Sequence, residues 1–586
     1  MATRGLAGLL FAACLLGQTP FLPLAEVRPG MKGVGKTVFS GGRIEEFQVE
    51  VLGVLENVGP QQSVILVRLS GGPLAQTGVL QGMSGSPVYF DGKLAGAVAM
   101  SFQYSKEPVA GVRPIEEMLR DSRPPAEPRS ARALLPPEGG LLSLVAKPPE
   151  IPAAGGRLID IATPVSFSGF TRAAVEHFAP QLRALGLEPS QGIAGGAPAR
   201  LASGDPNRLK PGSMISVQLM TGDLSIGADG TVTHIDGKRV YAFGHRFLSV
   251  GATELPFARA EVLTLLPNLA SSFKISAARE WMGTMLVDRS TVVAGELGRR
   301  ASMTPVAIKL TRRGADPATR QYRMEMASDR AIAPFLFQMA VFSAIDANER
   351  GLGAASIGIN GRIDFGKNAP PVQVRNLYAG DYALGAQVSL AAALPLFYAL
   401  QSGFDSLKPS AIHLEIESFA EKRQAQIGQV WASRAAARPG ESIELSVALV
   451  RDNGVETIHK ARFDVPPGMP PGPLNFTVAD GTTTNWLEFR GLLGSQPRSA
   501  QQLVSFLNGL RENTKAYVRV WRAEPSFQVQ GEELPNPPAS IAMLLGKAQA
   551  SLGGTAMRNA KIAEIPIDAA GFAVAGSRTI QVEIKE

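Results

Sequence analysis

The chain has 586 residues, of which 45% are apolar and 19% charged. That composition belongs to globular proteins and leaves room for three or four domains, excluding disordered, collagenous and polytopic membrane chains. The formal charge of +7 is spread thinly. Basic residues gather only into pairs such as Arg299–Arg300 and Arg312–Arg313, without interleaved aromatics, so nucleic acid is not an expected partner.

At the N-terminus, Arg4 precedes an apolar run from Gly5 to Gly17, too short to span a bilayer and suited to a secretory signal over residues 1–25, with a cut near Ala25. The chain is therefore expected to be exported, periplasmic or extracellular and associated with the cell envelope. Cys14, the single cysteine, lies inside this run and is poorly placed for lipidation. Without it the mature chain has no thiol, which removes disulfides, thiolate catalysis and cysteine-based zinc sites. The uncharged stretch Ala383–Leu400 contains Gln387, Ser389 and Pro395 and is read as a buried helix, leaving no integral span after signal cleavage.

Residues 26–120 read as a first β-barrel half, with strands at Gly33–Phe39, Glu46–Leu55, Ser63–Leu69 and Ser86–Met100 between Gly, Pro and Asp-Gly turns. Residues 121–156 are Pro-rich, with Pro124-Pro125, Pro136-Pro137 and Pro148-Pro149, and form an expected linker. Residues 157–310 read as a second β-rich half, with a helix over Thr171–Leu187 and strands at Ile215–Leu219, Thr231–His234 and Arg239–Phe243. A mixed α/β region follows over 311–425, with helices at Ala333–Ala347 and Leu384–Leu400. The alternating Glu441–Val450 and Val455–Val465 around Asp452-Asn453-Gly454 predict an immunoglobulin-like β module over 426–485. Residues 486–586 form a C-terminal α/β region, with a helix marked by Leu503, Phe506, Leu507 and Leu510.

Two motifs compete for the active site. Gly30-Met31-Lys32-Gly33-Val34-Gly35-Lys36-Thr37 has the spacing of a phosphate-binding loop, which needs a strand before it and a helix after it. Val38-Phe39-Ser40-Gly41-Gly42 is instead strand and turn, so a Gly-rich hairpin is expected and no nucleotide. The second motif is Gly82-Met83-Ser84-Gly85-Ser86-Pro87, followed by a strand that Asp91-Gly92 folds back as a hairpin. A nucleophilic serine needs a tight, glycine-flanked turn with donors waiting for the oxyanion; here the amides of Gly82 and Ser84 form the candidate oxyanion hole. Of the five histidines, His177, His234, His413 and His459 lie in helix, turn or strand text that suits structural roles. His245 ends the strand Val240–Gly244 and is the candidate base.

The Gly-x-Ser-Gly-x-Pro-Val hairpin resembles the nucleophile hairpin of chymotrypsin-like serine peptidases. Gly82-Met83-Ser84-Gly85-Ser86-Pro87 resembles more closely the signature of the SpoIVB peptidase family, in which Ser84, not Ser86, matches the nucleophile. The stretch from Lys210-Pro211-Gly212 to Gly244-His245 resembles the part of that family that carries the general base. The resemblance implies a mainly β fold with a chymotrypsin-like pair of β-barrels. Two features depart from the family: Ser84 precedes His245, so the two halves stand in transposed order, and no acid occurs between Glu56 and Asp91, where the family places its aspartate. Orientation of His245 is left to a carboxylate such as Asp223 or Asp236, to a backbone carbonyl, or to nothing.

The expected function is that of an exported serine endopeptidase acting on a protein or peptide substrate through an acyl-enzyme. Ala99–Gln103 is the expected edge for an extended substrate. The alternative is a catalytically inactive envelope binding or scaffold protein that retains the barrels. No cofactor is expected and, without H-E-x-x-H or clustered ligands, no metal.

Overall fold

The computed structural model describes residues 20–586 except 103–104, 124–140, 143–144, 146, 148–149, 154–155, 193–200, 270, 315–316, 349–351, 495–496, 530–531, 536 and 548–554. Most of the expected signal segment lies outside the described residues. Its last part does not: the amide of Leu22 donates to the carbonyl of Leu94, and that of Leu94 to the carbonyl of Pro20, so Pro20–Leu22 is bonded into the first sheet. A cut near Ala25 would remove this strap and the buried Leu22 with it.

The first sheet contains β1 (Lys32–Ser40), β2 (Arg43–Gly59), β3 (Gln62–Ser70), β4 (Pro87–Phe90), β5 (Lys93–Phe102), β6 (Val109–Pro114), β7 (Glu150–Ala153) and β8 (Gly156–Asp160). Between β3 and β4 runs a single helical turn, α1 (Leu74–Thr77), and after β6 comes α2 (Ile115–Asp121). β4 pairs with β5 and also with β1, so the sheet curls strongly around a core of Phe47, Val67, Leu80, Met83, Val88 and Phe90. Alternation gives the sheet its inner face: Phe47 and Val49 of β2 and Val67 and Leu69 of β3 are buried, and the polar Gln48, Glu50, Arg68 and Ser70 point outward between and after them. The Gly30–Thr37 motif falls mainly on β1, with no helix after it, and the nucleotide-loop geometry is absent.

The second sheet draws on β9 (Thr163–Ser168), β10 (Leu187–Gln191), β11 (Met214–Gly222), β12 (Ser225–Asp236), β13 (Arg239–Ala242), β14 (Gly251–Leu266), β15 (Phe273–Arg289), β16 (Val292–Leu297), β17 (Met303–Arg313), β18 (Ala318–Ala327), β19 (Leu352–Asp364), β20 (Val372–Tyr382) and β21 (Ala411–Phe419). β11 bonds to both β12 and β14, which bends β11–β16 round on themselves, while β18, β17, β21, β19 and β20 run on from the other part of β11. α3 (Arg172–Arg183), α4 (Ala333–Asp346) and α5 (Leu384–Gln401) share its core. α5 is long and apolar enough to cross a membrane, yet Val388, Ala392, Ala393, Leu396 and Phe397 are buried beside α4.

Mainly β structure is therefore present. In place of two free-standing barrels there are two sheets curled round on themselves through the β4–β5 and β11–β12 pairings, each continued by strands that run off it, β8 and β7 from β5 and β18 onward from β11. The C-terminal part is likewise a two-sheet sandwich around one core, but its strands extend from Gln424–Ala432 to Ser577–Ile584. Two parallel strand pairs and the helices Gly481–Gly494 and Ala500–Asn508 between strands depart from the antiparallel immunoglobulin pattern.

The two curled sheets meet along a seam. Leu94, Ala97, Ile115 and Met118 pack on Tyr241, Val287, Val292 and Ala294 at one end, and Val38 on Met214, Ala260 and Val262 at the other. Between these apolar clusters lie both candidate catalytic turns.

Candidate active site

Ser84 lies in the turn that enters β4. Gly82 and Gly85 have φ of +87° and +94°, conformations that L-residues with side chains rarely adopt. The amides of Met83, Gly85 and Ser86 donate to Leu80, Val98 and Met83, whereas among the described residues no carbonyl accepts from the amides of Gly82 or Ser84. Those are the two donors expected for an oxyanion. The following hairpin is closed by Asp91 and Gly92, both at positive φ, as a two-residue turn demands.

This turn is docked on the second sheet. The carbonyl of Ser84 accepts from the Thr231 amide at 2.9 Å, Thr231 Oγ1 donates to the Gly82 carbonyl at 2.9 Å, and Thr233 Oγ1 donates to the Gly85 carbonyl at 2.8 Å. Gly85 is so close to the other turn that an added Cβ would stand 2.0 Å from the Thr231 carbonyl oxygen and 2.6 Å from the Phe243 amide nitrogen.

His245 follows Phe243 and Gly244, both left-handed with φ of +67° and +71°. A buried phenylalanine in that region stores on the order of 1–3 kcal/mol of backbone strain, held here by its packing. Gly244 abuts β5, where a Cβ would lie 2.9 Å from that of Ala97. Beyond His245, the Asp288 carboxylate accepts from the amides of Phe247 at 2.8 Å, Leu248 at 2.6 Å and Val250 at 3.4 Å, fixing the turn from behind. Burial pushes the Asp288 carboxyl up to about 6 despite these donors.

The two turns thus share Thr231 and the middle of β5. Ser84 is 0% and His245 2% exposed, and neither Ser84 Oγ nor His245 Nε2 has a hydrogen-bond partner, so no bond joins them. His245 Nδ1 lies 2.6 Å from the Arg246 carbonyl; a proton on Nδ1 satisfies that contact and leaves the Nε2 lone pair free. Burial pushes the imidazole below its usual pKa, against the opposing pull of Asp160.

Asp160 escaped the sequence reading. It ends β8, opposite Met100 of β5, and the amide of Ile161 donates to Ala99. Its Oδ1 is enclosed and unpartnered; burial raises its carboxyl, with His245, Arg113 and Arg246 acting in the opposite direction. The weak signal in the sequence is a lone acid closing the short apolar strand Leu158-Ile159-Asp160. The acids considered instead lie elsewhere: Asp223 accepts from the Arg323 amide, and Asp236 sits with His234 at the far end of β12. β8 also corrects the expected substrate edge, since Ala99–Phe102 is bonded to β8 on one side and β6 on the other.

A second polar cluster underlies Gly82. The fully buried Lys274 donates from Nζ to Thr37 Oγ1 at 2.7 Å and from its amide to the Gln81 carbonyl, with Cδ 3.4 Å from where a Gly82 Cβ would be. Its electrostatic partner Asp229 accepts from Ser276 Oγ at 2.6 Å. Burial brings the ammonium down to about 7 and the carboxyl up to about 6. Spanning residues 37 to 276, this cluster has no local sequence signature. The other histidines are packed or remote: His177 stacks on Phe342, His234 meets Phe21 and Tyr241, and His413 and His459 belong to β21 and the sandwich.

More than half of the buried side-chain polar atoms without a partner among the described residues belong to this one place: Ser84 Oγ, Ser86 Oγ, Asp160 Oδ1, His245 Nε2, Arg113 Nε, and Nε and Nη2 of Arg246. Native proteins satisfy nearly all such atoms, and exceptions concentrate where function needs them. No curated protein and no solved structure matches the chain. A family model, the SpoIVB peptidase S55, matches residues 21–119, the stretch that carries Ser84 and stops short of Asp160 and His245.

Proposed function

We propose that this chain is an exported serine endopeptidase of the SpoIVB kind. Ser84 Oγ attacks a peptide carbonyl as its proton passes to His245 Nε2, and the amides of Gly82 and Ser84 receive the oxyanion. The imidazolium then returns the proton to the leaving amine, and water repeats the sequence on the acyl-enzyme. Asp160 offsets the imidazolium charge, while the Arg246 carbonyl holds the productive tautomer. The curled sheets serve as the two halves of a chymotrypsin-like peptidase in transposed order. The observation that carries this reading is the shared enclosure of Ser84, His245 and Asp160 by two turns that dock through Thr231. Because Ser84 is fully enclosed, a substrate must first open the seam, which suits cleavage of a restricted set of envelope proteins rather than general digestion.

The same enclosure, and the missing bond between Ser84 and His245, favour the second reading, an inactive binding or scaffold protein. Complementation separates them. The peptidase reading expects Ser84→Ala to abolish rescue of a deletion strain and to leave the substrate protein uncleaved. Full rescue by Ser84→Ala, with loss of rescue only when the C-terminal sandwich is disrupted, would establish the scaffold.

A further inference from the structure

Four arginines are nearly or fully buried among the described residues: Arg113, Arg246, Arg259 and Arg522. Three have carboxylates. Arg113 pairs with Glu117 at 3.2 Å, Arg259 with Glu261 and Glu280 at 3.1 and 3.2 Å, and Arg522 with Glu524 at 2.8 Å. Arg246, 8% exposed, has none, and its Nε and Nη2 are both enclosed without an acceptor. A buried guanidinium in that condition is costly, so an acceptor is expected to complete it.

Among the described residues none supplies one. Asp288 is committed to the amides of Phe247, Leu248 and Val250, and Asp160 keeps its Oδ1 unbonded although both carboxylates act electrostatically on Arg246. Nε and Nη2 form one edge of the planar guanidinium, the edge that receives the two oxygens of a carboxylate in parallel. The Arg246 charge also acts on both His245 and Asp160, and its backbone carbonyl accepts from His245 Nδ1, so an anion held on that edge stands beside the candidate base, inside the seam that a substrate has to open.

We infer that Arg246 is a substrate-recognition residue and that the opened seam takes a peptide bearing a carboxylate, from an Asp or Glu side chain or from the chain terminus. This rests on the peptidase reading for the identity of the ligand as a peptide. The test uses the full-length Ser84→Ala protein, which holds peptides without turnover, and fluorescent decapeptides in which one Glu is scanned through a neutral background. Each has a Gln counterpart, and each is made as C-terminal acid and C-terminal amide. Anisotropy titrations are expected to show at least about 10-fold tighter binding of Glu over Gln at one position, if a side chain is read, or of acid over amide, if the terminus is read. The advantage should fall to about one in Arg246→Gln and to an intermediate ratio in Arg246→Lys, which keeps the charge and loses the fork. Where Arg246→Gln fails to fold by circular dichroism, Arg246→Lys carries the comparison. Ratios near one in the parent, ratios unchanged by the substitutions, or no binding of any peptide would each overturn the inference. A retained ratio in a protein whose wild-type form never modifies Ser84 would remove the peptidase and leave the carboxylate site standing.

Discussion

Gly85→Ala tests the docking of the two turns. At φ +94° an alanine incurs on the order of 1–2 kcal/mol of backbone strain. Its Cβ would also lie 2.0 Å from the Thr231 carbonyl oxygen and 2.6 Å from the Phe243 nitrogen, contacts with backbone that no rotamer relieves. Overpacking of that kind adds about 1–3 kcal/mol, so denaturant titration should show a loss of about 2–5 kcal/mol. Relief requires the Ser84 turn to move from the His245 strand by an ångström or more, and such displacement costs about 100-fold in rate. Gly92→Ala is the control: it has φ +76°, nothing lies within 4 Å of its Cβ, and it stands at the tip of the β4–β5 hairpin. It should cost about 1–2 kcal/mol and leave turnover unchanged. The assay is the rate of acylation of Ser84 together with stability, for both variants. If Gly85→Ala is as stable and as reactive as Gly92→Ala, the two turns do not meet as described.

Asp160→Asn should leave the protein folded and lower the maximal rate by on the order of 10²–10⁴, since an amide cannot offset an imidazolium; an unchanged rate would remove Asp160 from the site. Asp288→Ala strands the amides of Phe247, Leu248 and Val250, and should cost about 2–5 kcal/mol in denaturant titration, with Asp288→Asn milder. Burial disfavours the charged form of His245, so the base stays neutral as pH falls below the usual histidine range; the acidic limb of the kcat/KM profile should lie below pH 6.5, and a limb above it would contradict the environment described here. Terminal sequencing of the protein purified from its native cells should give a start before Pro20, because Pro20–Leu22 is bonded to β5; a start after Ala25 in active protein would show the strap to be dispensable.

What was legible in the sequence was local. The strands of the first half, the Asp91-Gly92 hairpin, the helices around residues 333 and 384, and the turns bearing Ser84 and His245 each have short-range signals: alternation, glycine at positive φ, or an apolar run. Sheet order was not legible, because β8 returns to β5 from beyond the Pro-rich stretch, and nothing near Asp160 says that it ends opposite Met100. The same return covers the Ala99–Phe102 edge that the sequence left open. Lys274, Asp229 and Thr37 likewise read as ordinary strand residues until folding buries them together under Gly82.

The most direct measurement is mass-spectrometric mapping of a fluorophosphonate adduct on the full chain and on its Ser84→Ala, Ser86→Ala and His245→Ala variants. Ser84 and Ser86 are equally buried and equally unpartnered, so the reagent decides between them. The account predicts one adduct at Ser84, slow because the seam must open, absent in Ser84→Ala, retained in Ser86→Ala and slowed at least about 100-fold in His245→Ala. An adduct at Ser86, none at all, or one at Ser84 indifferent to His245 would contradict it.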